Sequence, residues 1–315
     1  MSEPTFAIVI TAYEAADVIT GAIDSALAQT RPAEEVIVVD DGSKDDLGAV
    51  LASYGERIKL VRKANGGGAS ARNAGVAATA CEFMAILDAD DAYHPRRLEA
   101  TAELARQRPE LDLIATDARF VVEGRPSGTF LKHNRFPEDD QRTAIFDSCF
   151  PTGWPTVRIS ALQAAGGFDE EMRIAYDWDC WLRMILAGSR VGMVREPLYD
   201  YVLHGGSLAS SRVASLRERV RLLEKAARNP ELRAEERPAL ERSLALHREQ
   251  AARGGIEAAL YGDSGRSEAA RIARTAGLSP RTRSLAALAA LAPPLARRYV
   301  SPTAAPEERF EVSPG

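Results

Sequence analysis

Three carboxylates within four positions, Asp88, Asp90 and Asp91, close the apolar run Phe83-Met84-Ala85-Ile86-Leu87. Acids this close repel one another unless a cation or a hydrogen-bond network offsets their charge, and a divalent metal is the natural candidate. The same stretch also reads as an acidic loop in which Asp91 caps a helix with Pro95 in its first turn. Further along, Asp40-Asp41 precede Gly42-Ser43, Arg72 follows Gly66-Gly67-Gly68, Asp177 and Asp179 flank Trp178, and His204 heads Gly205-Gly206-Ser207. A guanidinium and backbone N–H groups behind a glycine run can meet phosphate. A carboxylate beside a hydroxyl can take its proton. Each feature has a plainer reading: Asp40 and Asp41 as turn formers, Asp177 as a helix cap, Arg62, Lys63 and Arg72 as surface ion pairs, and His204 as a solvated loop residue.

These side chains need elements to hold them. Residues 6–10, 36–39 and 83–87 are continuous apolar runs, the pattern of strands covered on both faces, and 58–61 is a further strand. Between them, Val18, Ile19, Ala22, Ile23, Ala26 and Leu27 share one helical face, a second helix runs to about Tyr54, and a third spans 69–80. Strands alternating with helices at this spacing predict a parallel α/β sheet, whose ligands bind at the carboxyl ends of the strands. Thr11, Tyr13, Asp41 and the acidic stretch all fall there. A helix over 95–108, a strand over 111–116, a hairpin and loop over 119–148 covering the site, and helices over 160–165 and 177–187 follow. Trp178, Trp181, Leu182 and Ile185 turn inward on the last helix, and strands over 191–194 and 198–203 complete the first domain.

Composition sets the class. The 315 residues are 45% hydrophobic and 27% charged, as in a soluble globular protein. Cys81, Cys149 and Cys180 lie far apart and the four histidines do not cluster, so the spacing offers no zinc site and fits a reducing compartment. No basic-then-apolar leader opens the chain and no apolar run reaches transmembrane length, which predicts a cytoplasmic or peripheral protein. Residues 1–210 carry 21 Lys+Arg against 32 Asp+Glu, while 211–315 carry 19 against 13. The expected organisation is a catalytic domain over 1–210, a basic helical extension of two or three helices over 211–300, and a disordered Pro- and Glu-rich tail over 301–315. Seven arginines stand between 266 and 298 against one acid, Glu268, and the apolar run 285–295 is broken by Pro293-Pro294. That region is either a helix with solvated arginines or a peripheral membrane contact. Nucleic-acid binding is not expected, because aromatic residues are nearly absent from the basic region.

The ordered motifs Ile10-Thr11-Ala12-Tyr13, Val39-Asp40-Asp41-Gly42-Ser43, Ala69-Ser70-Ala71-Arg72-Asn73-Ala74-Gly75, Asp88-Ala89-Asp90-Asp91, Gly166-Gly167-Phe168-Asp169, Tyr176-Asp177-Trp178-Asp179 and His204-Gly205-Gly206-Ser207 together resemble the family 2 inverting glycosyltransferases. The resemblance covers roughly residues 6–210. It implies the GT-A fold, a Rossmann-like, mostly parallel α/β sheet, and transfer of a sugar from a nucleoside diphosphate to an acceptor hydroxyl. It further implies that Asp41 accepts from a base edge, with Thr11 and Tyr13 beside it, and that Arg72 and Asp88 bind the donor. Asp90, with Asp88 or Asp91, resembles the family's metal and ribose acids, and His204 its metal-side histidine, around Mg²⁺ or Mn²⁺. Asp177 matches the family's general base, with Asp179 as competitor, although Tyr176 stands where the family has Glu. Trp154, in a loop after Thr152-Gly153, is the expected stacking platform for a sugar.

The resulting expectation is a metal-dependent inverting enzyme using a UDP- or dTDP-sugar in preference to a GDP-sugar, with a saccharide or lipid-linked acceptor in cell-surface polysaccharide or glycolipid synthesis. A nucleotidyltransferase would instead place a Gly-rich basic loop after the first strand, where Thr11-Ala12-Tyr13-Glu14 stands. A non-catalytic nucleotide-sugar binder would not need Asp41, Asp90 and Asp177 together. A dinucleotide-binding dehydrogenase lacks its glycine fingerprint here.

Overall fold

A strand without polar residues is stable only when both of its faces are covered, and this chain covers them with helices. The computed structural model describes residues 3–203, 212–261 and 265–300. Two compact units form, Met1–Gly205 and Gly206–Gly315. The first begins with β1 (Phe6–Ala12), α1 (Ile19–Leu27), β2 (Glu35–Asp40), α2 (Leu47–Ala52), β3 (Lys59–Arg62), α3 (Gly68–Ala77) and β4 (Phe83–Asp88). It continues through β5 (Ala92–Tyr93), α4 (Arg97–Gln107), β6 (Leu111–Val122), β7 (Arg125–Thr129), α5 (Phe130–His133) and α6 (Gln141–Asp147). It closes with β8 (Thr156–Arg158), α7 (Ile159–Ala164), α8 (Tyr176–Leu186) and β9 (Arg190–Leu203).

The sheet order is β3-β2-β1-β4-β8-β6-β9-β5, with β7 beside β6. Phe6, Ile8 and Ile10 of β1 pack with Ile19, Ala22 and Ile23 of α1 and with Leu98 of α4 in one core. Burying each large apolar chain there contributes about 1.5–3 kcal/mol. The alternate residue Val9 faces α3, and a Cβ on Gly75 would lie 2.4 Å from Val9 Cγ1, so only glycine lets that helix sit so close. β1 runs parallel to β2 and β4, with Ala12 opposite Asp40 and Thr11 opposite Asp88. β3 extends the parallel block with Arg62 opposite Asp40. The register alone therefore gathers Thr11, Asp40, Arg62 and Asp88 at one edge of the sheet.

The structure corrects the sequence reading in three places. β8, not expected as a strand, enters antiparallel between β4 and β6 in a sheet that is mostly parallel, as expected. The two strands expected over 191–194 and 198–203 are one, β9, parallel to β6. Its register slips where Thr116 faces Val194, Asp117 faces Pro197 and Ala118 faces Tyr199. Proline lacks the N–H a ladder needs, and a bulge absorbs it without ending the strand. The helical extension holds five helices among the described residues, not two or three: α9 (Arg212–Ala226), α10 (Arg237–Tyr261), α11 (Gly265–Ala273), α12 (Pro280–Leu291) and α13 (Pro293–Ala296). Ile256, Leu260, Ile272, Leu278, Ala286 and Ala289 form the core of that unit. Ser279 caps α12, accepting from the Thr282 N–H with Pro280 in the first turn. The tail over 301–315 lies outside the described residues.

Candidate active site

The Asp41 carboxylate sits just past β2 and is buried. Lys63 Nζ donates to Oδ1 at 2.6 Å, Gly66 N–H to Oδ1 at 3.0 Å, and Gly67 N–H to Oδ2 at 2.7 Å. The glycine run ahead of α3 thus spends two of its N–H groups on Asp41 rather than holding both open for phosphate. Gly67 adopts a φ of +87°, which only glycine takes without strain. Lys63, read from sequence as a surface pair, is half-buried on this carboxylate. Its signal was its place, one residue past the end of β3 on the same sheet edge. Arg62 is the surface pair expected, 3.6 Å from Asp40 and largely exposed. Thr11 is half-buried and Tyr13 exposed at the end of β1.

The acidic stretch after β4 divides by burial. Asp88 is partly exposed and its Oδ1 accepts from Arg72 Nη2 at 3.0 Å. Asp90 is also half-buried. Asp91 turns inward, 3% exposed, and accepts from Tyr199 Oη at 2.7 Å and Val202 N–H at 2.8 Å. Burial, with the Asp88 charge beside it, pushes the Asp91 carboxyl up to about 8, against those two donors. Asp91 therefore does not stand with the other two acids as an expected metal ligand. It ties the loop to β9, because both its oxygens are taken. Among the described residues no three His, Cys, Asp or Glu side chains converge as a closed metal cage, and His204 lies outside the described residues. Asp90 and Asp88 do fit an open Mg²⁺ or Mn²⁺ site, which takes one or two carboxylates and leaves the rest to phosphate and water.

Arg72 occupies the centre. It is 3% exposed, its guanidinium lies 5.0 Å from the Tyr176 ring and 5.7 Å from that of Phe168, and Nε and Nη1 have no hydrogen-bond partner among the described residues. Burial disfavours its charge, but Tyr176, Asp88 and Asp177 more than offset this and hold it firmly protonated. It is not the exposed surface pair of the plainer reading. Tyr176 in turn packs its hydroxyl so closely on Gly68 that a Cβ there would lie 2.4 Å away.

Asp177 lies in the first turn of α8, and its Oδ1 accepts from the Trp178 N–H at 2.8 Å. A Cβ on Gly153 would be 2.9 Å from Oδ2, so the Gly153 backbone abuts this carboxylate. Burial raises the Asp177 carboxyl, while Arg72 pulls it back. The competitor Asp179 is buried and paired with Arg183 Nε at 2.9 Å; Arg183 also donates to the carbonyls of Ala165 and Gly167. Asp179 thus helps anchor the Gly166-Gly167 turn, and of the two acids on α8 it is Asp177 that feels the Arg72 charge.

Trp154 is not the exposed platform its loop position suggested. It is 8% exposed and stacks on Tyr199 at 4.7 Å and Tyr201 at 5.0 Å, both from β9. The buried Arg97 holds this packing, donating to the Trp154 carbonyl at 2.6 Å and lying over the rings of Tyr93 and Tyr199. Trp178 and Trp181 are core residues, as expected. Asn73, given no role from sequence, donates to the Phe168 carbonyl and accepts from the Phe168 N–H, both at 2.9 Å. Its place directly after Arg72 was the available clue.

The model of glycosyl transferase family 2 matches residues 7–160. The succinoglycan biosynthesis protein ExoO of Rhizobium meliloti is 32% identical over 225 residues, covering 68% of this chain and 64% of its own. An uncharacterized glycosyltransferase of Rickettsia typhi is 29% identical over 225 residues, 68% of this chain and 69% of its own. The crystal structure of S. aureus TarS 1-349 in complex with UDP-GlcNAc matches 90% of this chain and 87% of that chain, with a TM-score of 0.68 at 19% identity. The present chain spans about half, 53%, of the longer TarS chain. These likenesses to solved structures establish the fold, GT-A-like with added C-terminal helices.

Proposed function

The chain belongs to glycosyltransferase family 2, and on that premise we propose a metal-dependent, inverting transfer of a sugar from a nucleoside diphosphate to an acceptor hydroxyl. The observation that carries the reading is Arg72, buried between Asp88 at the end of β4 and the first turn of α8, where Tyr176 and Asp177 stand. Motifs far apart in the chain meet there. In this reading Asp41, Thr11 and Tyr13 receive the base, Lys63, Gly66 and Gly67 holding the Asp41 carboxylate in place with a lone pair left for the base edge. Asp90, with Asp88 beside it, would hold Mg²⁺ or Mn²⁺, and His204 is the further ligand the sequence offers. The bound ion supplies positive charge for the departing diphosphate.

Asp177 performs the proton chemistry. The acceptor oxygen attacks the anomeric carbon as the bond to the diphosphate oxygen breaks on the opposite face, and the acceptor proton passes to the Asp177 carboxylate. One displacement inverts the anomeric centre. A base works best with a pKa near the operating pH, and burial moves Asp177 in that direction while Arg72 keeps it ionisable. UDP or dTDP is favoured over GDP as the leaving group: the TarS structure cited above holds UDP-GlcNAc. A mannosyltransferase from Pyrobaculum calidifontis, in complex with GDP-Man and Mn²⁺, is a more distant fold match, TM-score 0.58 at 18% identity. The acceptor is a saccharide or a lipid-linked saccharide in polysaccharide or glycolipid synthesis, in keeping with ExoO. The setting is the cytoplasm, with peripheral membrane contact through the basic C-terminal unit. No described helix is long and apolar enough to cross a membrane. Nucleotide release measured across UDP-, dTDP- and GDP-sugars with Mg²⁺, Mn²⁺ or chelator tests the whole reading. Turnover with one donor, lost in chelator, is the expected result; no release from any donor would sink it.

A further inference from the structure

Nine large hydrophobic side chains are exposed among the described residues, and four of them belong to one end of the C-terminal unit. Leu291, at the end of α12, is 83% exposed, Tyr299 71%, and Leu295 and Tyr261 42% and 44%. The Tyr261 hydroxyl donates to the Val300 carbonyl at 2.8 Å, and Arg297 lies 5.4 Å from its ring. The end of α10 and the chain after α13 therefore meet at this place. The inner side of the same helices is satisfied, with Ala286, Ala289 and Ala296 buried in the core, while Leu291, Leu295 and Tyr299 stay outside it and exposed. The surrounding charge is one-sided: residues 265–300 hold seven arginines and one acid. That acid, Glu268, is already held by Arg217 and Arg271. Arg281 and Arg298 are exposed and have no ion pair among the described residues.

Leucines and a tyrosine next to the exposed Arg298, on helices that carry the further unpaired Arg281, have the chemistry of an interfacial lipid contact: apolar groups enter the headgroup–acyl boundary, the phenol stays at its polar rim, and guanidiniums meet lipid phosphates. We infer that the face carrying Leu291, Leu295 and Tyr299 docks on an anionic phospholipid surface. The inference deepens, and rests on, the peripheral contact proposed above for the C-terminal unit. Charge complementarity selects this occupant, since Arg281 and Arg298 have no acid paired with them among the described residues and a zwitterionic surface carries no net charge to offset them.

Full-length protein is sedimented with vesicles of phosphatidylcholine alone and with 30% phosphatidylglycerol, at low and high salt. At least ten-fold more protein is expected on the anionic vesicles at low salt, with most released by salt. The triple variant Leu291→Ser/Leu295→Ser/Tyr299→Ser and the charge variant Arg281→Glu/Arg298→Glu, all at exposed positions, are each expected to lose at least ten-fold of that binding. Wild-type protein that binds neither vesicle overturns both the contact and the face. Wild-type binding retained by both variants overturns the face alone. A triple variant that changes oligomeric state, with no wild-type vesicle binding, reassigns the patch to contact between copies and also overturns the inference. Nucleotide release from the donor, read in the same samples, tests the glycosyltransferase reading separately.

Discussion

Arg72→Met removes the central cation while keeping most of the side-chain volume. Breaking a fully buried ion pair by deleting one partner costs about 3–5 kcal/mol. Asp88, however, keeps 32% of its side chain in solvent, so about 2 kcal/mol is expected from the pair. The lost packing over Tyr176 at 5.0 Å adds about 0.5–1 kcal/mol. The chain's three tryptophans, Trp154, Trp178 and Trp181, all lie in the first unit. Denaturation followed by tryptophan fluorescence therefore reads this unit alone. The catalytic consequence has a definite sign. Asp177 is raised by burial and lowered by Arg72; without Arg72 its carboxyl rises further. The base must be ionised to work, so the acid limb of kcat at saturating donor moves to higher pH and activity recovers as pH increases. Arg72→Lys keeps the charge but loses the planar fork, so it destabilises while leaving the acid limb near its wild-type position. An acid limb that stays put or moves down in Arg72→Met would refute the placement of Arg72 beside the base.

Asp177→Asn is expected to lower transfer by at least ~100-fold while calorimetry shows donor binding unchanged; wild-type turnover would remove Asp177 from the mechanism. Asp90→Ala is expected to weaken donor binding in the presence of Mn²⁺ and not in chelator, and equal loss in both conditions would argue against a metal role. Asp179→Ala strips the buried counterion from Arg183 and is expected to destabilise the first unit by about 2–3 kcal/mol. Its kcat per folded molecule should stay within a few-fold of wild type, and a loss as deep as that of Asp177→Asn would reverse the choice between the two acids.

The parallel core was legible because its signals are local. The apolar runs of β1, β2 and β4 each announce a strand, and each is followed directly by the polar residues at its end. What failed to show depended on distant partners. β8 has only Thr156, Val157 and Arg158, too few residues for any periodicity, and is a strand because β4 and β6 flank it. β9 reads as two strands because Glu196-Pro197 interrupts it, and only the bulge opposite Asp117 joins them. In the candidate site, Trp154 has the sequence context of a loop, but two tyrosines some 45 residues later bury its ring. Asp91 is written like its neighbours, yet Tyr199 and Val202 turn it inward. Lys63 looked like any lysine after a strand until Asp41 was found beneath it.

The clasps that close the site set how the protein can be cut and recombined. Asn73 is held to Phe168, Arg72 packs on Tyr176, and Asp91 is bonded to Val202, more than a hundred residues downstream. Every one of those partners lies beyond residue 160, where the match to the family model stops. A fragment ending there would leave Arg72 without its ring, Asp91 without its donors and β6 without its parallel neighbour β9. Chimeras that exchange donor or acceptor preference should therefore move the first unit through β9 as one block. During synthesis the acidic loop emerges long before the strand that clamps it, so the site takes shape only once β9 has left the ribosome.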